Sequence, residues 1–191
     1  VVSYVKNATI SNVRLSNSTV VSTEKAGGIA GFLPNGFCCF ITNCSTASDV
    51  TVTITGNGKN HSAGILCRVE SDSSRAIIAN CINNAAITCV GVNGGGIAGQ
   101  AKNVLYYNDT NNGRVVSGKR AAGIATDCSG SVFINCTNTG SITATNPLNE
   151  KGDDTAGIAS YLANTGKNVI VNCSNSGTVT GETGADKAKI A

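Results

Sequence analysis

The segment GGIAG at Gly27–Gly31 returns in closely similar form four more times along the chain. The later copies are AGILC at Ala63–Cys67, GGIAG at Gly95–Gly99, AGIAT at Ala122–Thr126 and AGIAS at Ala156–Ser160. The isoleucines of successive copies are 36, 32, 27 and 34 residues apart. Recurrence at such a period is the signature of a repeat protein. The unequal intervals predict conserved strands joined by loops of variable length.

A second segment follows each copy of the first. It reads ITNCSTASDV from Ile41, IANCINNAAI from Ile78, YYNDTNNGRV from Tyr106, FINCTNTGSI from Phe133 and IVNCSNSGTV from Ile170. Each repeat therefore holds three short β-type runs, around G-I-A, I-x-N-C and G-x-[IV]-T, between turns rich in Gly, Asn and Ser. The fourth position of N-C-x-N-x-G is predicted to be a turn residue, because Asn tolerates the left-handed conformation.

A single repeat cannot bury its own apolar positions, so we expect the repeats to stack with equivalent residues in columns. The sequence predicts an all-β parallel β-helix, or β-solenoid, of about six coils of roughly 32 residues, with three short strands per coil. The glycine before each isoleucine is expected where the backbone bends or approaches a neighbour closely. The predicted core columns are Ile29, Ile65, Ile97, Ile124 and Ile158, together with Cys44, Cys81, Cys136 and Cys173.

GGIAG followed by NCSNSGTVTG resembles the GLUG-type repeats of microbial and protist surface proteins. The resemblance covers nearly the whole chain, and it implies a right-handed β-solenoid with an adhesive or structural role. It specifies no active site. The chain departs from the repeat at Asp109, which takes the Cys position, and at Lys189, which takes the Gly position.

The composition limits the class of partner. The 191 residues include 23 glycines but no Trp or Met, so the core is predicted to contain small and β-branched side chains. Only 13% of residues are charged, the formal net charge is +3, and the longest basic run is Lys119–Arg120. This balance favours neither nucleic acid nor an anionic membrane as a partner. We find no bilayer-spanning apolar run and no signal peptide, and we expect one domain, 1–191.

The nine cysteines are an odd number, so at least one is unpaired within the chain. Parallel Cβ vectors about 4.8 Å apart are too distant for the usual disulfide, so the cysteine column is expected to hold buried thiols. No CxxC motif is present, and no metal or other cofactor is expected. Pairing stays open for Cys38, Cys39, Cys67, Cys89 and Cys128.

N-x-S/T sequons suit a secreted glycoprotein. The loop sequons, especially Asn60 and Asn108, are predicted to be the accessible ones, and turn packing is predicted to bury those within NCS and NCT. The sequons begin at Asn7, Asn17, Asn43, Asn60, Asn108, Asn135 and Asn172.

Two further classes of function compete with a structural role. Parallel β-helices include carbohydrate-active enzymes, which need acidic or nucleophilic groups that meet. The acidic cluster of Glu150, Asp153 and Asp154 and the sole histidine, His61, lie in different variable loops. No catalytic residue is therefore predicted, and the chain is not expected to be an enzyme.

An ice-binding solenoid would present regular ranks of Thr. In the third run, G-x-[IV]-T, the position immediately before the [IV] residue is Asp49 in one coil and Arg114 in another, and these charges interrupt such a face. The equivalent positions immediately after the [IV] residue form a second row, or rank, along the solenoid: Val21, Thr51, Thr88, Val116, Thr143 and Thr180.

The two ends of the sequence carry half-repeats. ISNVRLSNSTV from Ile10 matches the second segment with Val13 in the Cys position, so 1–21 is a predicted N-terminal half-coil. AKIA, at 188–191, begins a first segment and is a predicted C-terminal half-coil. Joining Ala191 to Val1 of another copy separates Ile190 from Ile10 by 11 residues, against 9 to 13 internally. The predicted subunit interface comprises Val1, Val2, Tyr4, Val5, Ile10, Val13, Val20, Ala188, Ile190 and Ala191.

These features predict an extracellular or cell-surface structural protein that assembles head to tail with itself into a filament. The alternative is a binding module within a longer cell-surface adhesin. The expected partners are other copies of the chain, and N-linked glycans or surface carbohydrate. A carbohydrate-active enzyme and an ice-binding solenoid are more distant alternatives.

Overall fold

The computed structural model describes residues 2–145, 154–163, 166–181 and 186–188, and these form strands and turns without a helix. The first coil contributes β1 (Val2–Tyr4), β2 (Ala8–Ser11), β3 (Arg14–Leu15) and β4 (Thr19–Ser22). The second contains β5 (Lys25–Gly27), β6 (Ala30–Leu33), β7 (Cys38–Thr42), β8 (Ser45–Thr46) and β9 (Thr51–Ile54). The third contains β10 (His61–Ala63), β11 (Leu66–Val69), β12 (Arg75–Ala79), β13 (Ile82–Asn83) and β14 (Ala86–Cys89).

The later coils repeat this order. The fourth contains β15 (Asn93–Gly95), β16 (Ala98–Lys102), β17 (Val104–Tyr107), β18 (Thr110–Asn111) and β19 (Val115–Ser117). The fifth contains β20 (Arg120–Ala122), β21 (Cys128–Ser129), β22 (Val132–Ile134), β23 (Thr137–Asn138) and β24 (Ile142–Ala144). The last described strands are β25 (Asp154–Ala156), β26 (Val169–Val171), β27 (Ser174–Asn175), β28 (Val179–Thr180) and β29 (Asp186–Ala188).

The strands stack into five parallel sheets, which confirms the predicted all-β parallel β-solenoid. Sheet I contains β5, β10, β15, β20, β25 and β29, and sheet II contains β1, β6, β11, β16 and β21. Sheet III contains β2, β7, β12, β17, β22 and β26, and sheet IV contains β3, β8, β13, β18, β23 and β27. Sheet V contains β4, β9, β14, β19, β24 and β28. The chain therefore climbs by one strand spacing with each coil.

The predicted three strands per coil are too few, because two of the three runs bend. The G-I-A run divides between sheets I and II at its glycine and isoleucine. The I-x-N-C run divides between sheets III and IV at its first Asn, for which φ lies between 51° and 55° in five coils. The prediction that the fourth-position Asn makes this turn is therefore wrong. The turn residues are Asn43, Asn80, Asn108, Asn135 and Asn172.

The fourth-position asparagines instead form an Asn ladder, defined as the buried Asn83, Asn111 and Asn138 and the half-buried Asn175. Thr46 Oγ1 donates to Asn83 Oδ1 at 2.6 Å, and each Asn Nδ2 donates to the next Oδ1 at 2.7 Å. Each Nδ2 also donates to the backbone carbonyl two residues further along the chain. The amides thereby satisfy one another inside the protein, where an unpaired polar group is costly.

The glycine before each column isoleucine from Ile65 onward packs against this ladder, whereas Gly28 packs against Thr46. A Cβ atom on Gly64 would overlap the side-chain oxygen of Asn83, and one on Gly96 would overlap the Asn111 side chain. Neither glycine has a positive φ. Close approach, rather than backbone freedom, therefore excludes a side chain here. The G-I-A and N-C-x-N segments form the two sides of one contact.

Two hydrophobic clusters fill the interior on either side of the Asn ladder. The first contains Ile29, Ile65, Ile97, Ile124 and Ile158, all 0% exposed, and the buried Cys44, Cys81 and Cys136, with the half-buried Cys173 packed against it. The second lies between sheets I and V and includes Val52, Ile87, Val115 and Ile142. All nine cysteines are free thiols.

Asp109 keeps the position of the missing cysteine and is completely buried. Its Oδ1 accepts the backbone N–H of Cys81 at 2.8 Å, and its Oδ2 has no partner among the described residues. Burial raises the pKa of this carboxyl well above its ordinary value. Tyr106 in the same coil stacks on Phe133 with ring centroids 4.7 Å apart. The coil therefore keeps the fold while departing from the repeat sequence.

The third-strand register differs from the prediction in one coil. Ile87 pairs with Val52, not with Val50. Both valines are fully buried, so apolar alternation alone does not distinguish them. A two-residue shift in β9 follows.

This shift changes both Thr ranks. Thr53 replaces Thr51 in the rank of Thr88 and Thr143, and Thr51 pairs with Thr19 where Asp49 was expected. Sheet V nevertheless presents no uniform Thr face, because Val21 and Val116 also lie in that rank.

The exposure of the sequons reverses part of the prediction. Asn60 is only 9% exposed, and its Nδ2 donates to the carbonyl of Thr23 at 2.9 Å, so it is not accessible for glycosylation. The Asn of each NCS or NCT segment is exposed, because it occupies the outer corner where the following Cys turns inward. The exposed sequon residues are Asn7, Asn17, Asn43, Asn108, Asn135 and Asn172.

Candidate functional site

A groove follows the outside of the solenoid between sheets I and II, and we call it the axial groove. Its sheet I wall presents the residue four positions before each column isoleucine, and its sheet II wall presents the residue three positions after. The walls meet at Lys25 Nζ, 5.4 Å from the Phe32 ring centroid, and at Arg120, 4.2 Å from the Tyr161 centroid. The walls are Lys25, His61, Asn93, Arg120 and Asp154, opposite Phe32, Arg68, Gln100, Asp127 and Tyr161.

The axial groove widens to a central pocket of about 650 Å³. Three loops that connect sheet V to sheet I close one side of it, at 57–59, 90–92 and 118–119. The three loops differ in length, at 55–60, 90–92 and 118–119. This difference closes the groove on one side and makes a pocket, whereas loops of equal length would leave the groove open. The wall residues of the central pocket are His61, Arg68, Asn93, Gln100, Arg120 and Asp127.

A polar network fixes the side chains of the central pocket. Arg68 Nε donates to Gln100 Oε1 at 2.6 Å, and Gln100 Nε2 donates to Asp127 Oδ2 at 2.7 Å. Arg120 lies 3.9 Å from Asp127 and donates through Nε to Asp154 at 3.2 Å. Two carboxylates therefore offset the charge of Arg120. The terminal nitrogens of Arg68 have no hydrogen-bond partner among the described residues.

His61 and Asn93 form the buried part of the pocket wall. His61 is 5% exposed and Asn93 is 2% exposed. Burial, followed by the charges of Arg68, Lys25 and Arg120, lowers the pKa of His61 to about 3. The imidazole is therefore neutral, and its Nδ1 lies 3.0 Å from Asn93 Nδ2. Asn93 Oδ1 has no hydrogen-bond partner among the described residues.

The lining of the central pocket is predominantly cationic. Lys59, Arg68, Lys119 and Arg120 contribute four positive side chains, of which Arg120 is offset by Asp154 beside the pocket and by the lining carboxylate of Asp127. That carboxylate already accepts a hydrogen bond from Gln100. A concave surface with one excess sign of charge concentrates ligands of the opposite sign. The arrangement suits binding of an anion, and no group of three metal-ligating side chains occurs among the described residues.

We expect His61 to make the folded protein sensitive to acid. Below about pH 6.5 the unfolded chain takes up a proton on this imidazole, whereas the folded protein resists protonation until about pH 3. His61 alone is therefore expected to reduce the free energy of unfolding by about 2 kcal/mol between pH 7 and pH 5. Urea unfolding of wild type and His61→Asn at both pH values measures this, and the stability difference should shift in favour of the variant on acidification.

The effect of His61 has to be measured as a difference in stability between wild type and variant, because Asp109 also makes the stability depend on pH. A carboxyl whose pKa is raised by burial stabilises the fold at low pH, and this contribution is lost as the pH rises. That effect is common to wild type and His61→Asn, and it cancels in their difference. Because His61 is the only histidine, parallel curves between pH 7 and pH 5 would contradict a buried neutral imidazole.

The structure places residues that the sequence assigned to different loops on one wall of the axial groove. His61 lies in β10 and Asp154 in β25, both in sheet I, but β15 and β20 separate them, so the two side chains do not meet. Glu150 and Asp153 lie outside the described residues. Counting outward from the column isoleucines would have aligned both walls of the groove, because each coil keeps a polar or aromatic residue at the same two offsets.

The predicted subunit-interface residues lie at the two ends of the described solenoid. Ile10 pairs with Ile41 and Val20 with Val52, whereas β1 pairs with β6, so pairing begins before Ile10. Val5 is buried, Ile10, Val13 and Val20 are half-buried, and Val2 and Tyr4 are exposed. Ala188 pairs with Ala156. Val1, Lys189, Ile190 and Ala191 lie outside the described residues.

The outer face of sheet III is a second unusual surface. Phe40, Tyr107, Val169 and Val171 are each more than 40% exposed on it. Continuous apolar runs such as that of β17 are typical of strands that are covered on both faces. This pattern in the sequence could have indicated that the outer face of sheet III is apolar. Exposed apolar patches of this kind mark interaction sites in soluble proteins.

None of the described residues forms a helix with the length and hydrophobicity needed to cross a membrane. The likeness to GLUG-type repeats rests on the repeat sequence itself. Comparison with known protein families, with curated proteins and with solved structures finds no match to this chain.

Proposed function

We propose that this protein is an extracellular or cell-surface structural solenoid that assembles head to tail with other copies of itself. The open edges of the end strands support this most directly. Among the described residues, β2, β3 and β4 each pair with a neighbouring strand on one side only, and so do β27, β28 and β29 at the other end. Unpaired edges of this kind accept a further strand.

The register of the end strands suits the addition of another coil. The columns of the interior continue into the first coil, where Ile10 faces Ile41 and Val20 faces Val52. Strand addition from a second copy would continue these columns and supply main-chain hydrogen bonds. A contact between two different surfaces repeats without closing and produces a filament.

The alternative is a binding module within a longer cell-surface adhesin. The axial groove favours this function, since it is a built cationic surface on the side of the rod. The resemblance to GLUG-type surface repeats supports both functions equally. Assembly of the isolated chain distinguishes them.

Electron microscopy and light scattering of the purified chain test the proposal. We expect filaments with an axial subunit repeat of about 29 Å, which is six strand spacings. Substitution Ile10→Lys places a charge in the half-buried end column and should stop elongation. Thr9→Lys adds the same charge to the outward face of the same strand, and it should leave the filaments intact.

We expect both variants to remain folded, because each coil depends mainly on its neighbours, and circular dichroism checks this. Short monodisperse rods formed by the wild type would favour the adhesin module. Filaments of unchanged repeat formed by Ile10→Lys would show that the end columns are not the contact.

A further inference from the structure

We propose that the central pocket of the axial groove binds an acidic polysaccharide that lies along the solenoid axis. The acid group would contact Arg68 and Lys59, and a sugar hydroxyl would donate to Asn93 Oδ1. This site is on the side of the solenoid, so it is independent of the end contacts proposed for assembly.

Arg68 has the geometry of an anion-binding residue. Its Nε is held by Gln100 at 2.6 Å, which positions the guanidinium while leaving both terminal nitrogens available. A guanidinium fork binds carboxylate or sulfate through two parallel hydrogen bonds. Lys59 lies on the adjoining loop of the pocket, is exposed, and has no ion-pair partner among the described residues. The two side chains therefore offer one cation that is fixed by a hydrogen bond and one that is exposed and without an ion pair among the described residues.

Asn93 indicates that the ligand also carries hydrogen-bond donors. Its Oδ1 is a buried acceptor without a partner among the described residues, and Asn93 lines the central pocket. Leaving such a group unpaired is costly, so a ligand that donates to it gains affinity. The neutral His61 imidazole holds the amide from its other side. An anion without an O–H group, such as sulfate, cannot donate to Asn93, whereas a sugar acid supplies both a hydroxyl and a negative charge.

The shape of the site favours a polysaccharide over a nucleic acid or a peptide. Proteins that hold single-stranded nucleic acid stack the bases on aromatic rings, and no Phe or Tyr lines the central pocket. Peptides that add to a sheet need a free strand edge, whereas the groove walls β10, β11, β15 and β16 are paired on both sides. The groove walls come from successive coils about 4.8 Å apart, so an extended chain molecule that lies along the axis can contact several coils at once.

Titration calorimetry with alginate oligosaccharides, which carry carboxylates, and dextran sulfate tests the proposal. We expect the wild type to bind at least one of them and not to bind neutral dextran. Arg68→Gln should weaken binding about tenfold or more, as expected for a lost charge-assisted hydrogen bond. Arg114→Gln removes the same charge from an exposed position near sheet V and should change affinity less than about twofold. Preference for alginate or for dextran sulfate identifies the acid group.

Inorganic polyphosphate and single-stranded RNA are the competing ligands. Both carry dense negative charge, and we expect them to bind more weakly than the preferred polysaccharide. Equal or tighter binding of either, with the same loss in Arg68→Gln, would replace the proposal with a general anion site. Equal losses in Arg68→Gln and Arg114→Gln would reduce it to non-specific attraction, and absence of binding to both acidic polysaccharides would overturn it. Melting curves of both variants exclude unfolding as the cause.

Discussion

Substitution Ile97→Asp is expected to unfold the solenoid under conditions in which the wild type is folded. Ile97 is 0% exposed and belongs to the first hydrophobic cluster, between Ile65 and Ile124 of the neighbouring coils. Burying an unpaired carboxylate there costs several kcal/mol, which approaches the total stability of about 5–15 kcal/mol typical of a domain. Thermal unfolding followed by circular dichroism measures the effect.

Thr143→Asp introduces the same carboxylate in a matched control. Thr143 is half-buried in β24, on the outward side of sheet V, between the buried Ile142 and Ala144. A charge there remains in contact with water, so the loss of stability should stay within about 1 kcal/mol. If both variants lowered the melting temperature equally, the inward and outward assignments would be wrong.

Asn111→Ala is expected to reduce the free energy of unfolding by about 3–5 kcal/mol, since several buried hydrogen bonds are lost together. Asn111 accepts from Asn83 and donates to Asn138, both at 2.7 Å, and it also donates to the carbonyl of Gly113 at 2.9 Å. The substitution leaves one of the two amide N–H groups of Asn83 and the Oδ1 of Asn138 without partners, whereas the other N–H of Asn83 keeps the carbonyl of Ala85. Urea unfolding monitored by circular dichroism measures the change.

Asn112→Ala provides the control in the next residue. The Asn112 side chain is exposed, donates to Asn84 at 2.9 Å and accepts from Thr139 at 2.8 Å. Water replaces these partners, so the expected loss is below about 1 kcal/mol. A loss for Asn112→Ala as large as that for Asn111→Ala would contradict a stabilising role of the Asn ladder.

The fold could be predicted because the column isoleucines recur with the strands. Each copy of G-I-A buries its isoleucine, and variation in length is confined to loops, so the repeat period alone indicates stacked coils. Even Asp109 fits the pattern, because a small buried side chain is all that its column requires. The bends that divide three runs into five strands were less visible, since a bend changes direction without changing the apolar pattern.

The roles of the asparagines could not be assigned from residue type. Asn135 and Asn138 lie three residues apart in the same turn-rich segment, and both suit a left-handed turn. Only the stacked coils show that Asn135 turns the chain while Asn138 reaches the amide of Asn111 inside the core. Burial of Asn60 likewise depends on the carbonyl of Thr23 in the preceding coil.

The axial groove depends on residues that do not repeat. Arg68, Gln100 and Asp127 occupy one rank but differ in chemistry, so no motif marks them in the sequence. Their hydrogen-bond network exists because parallel stacking places Arg68 beside Gln100 and Gln100 beside Asp127 in neighbouring coils. Self-similarity predicts the scaffold, and the irregular positions create the candidate site.

The parallel sheets give the solenoid a direction of mechanical weakness. Hydrogen bonds between coils run along the long axis, so tension between the two ends loads all the coil interfaces in series, and they break one at a time. Releasing one coil of about 32 residues exchanges a rise of about 5 Å for a contour length of roughly 110 Å. The rod would therefore extend under load in a series of large steps, and each step would dissipate work while the remaining coils stay folded.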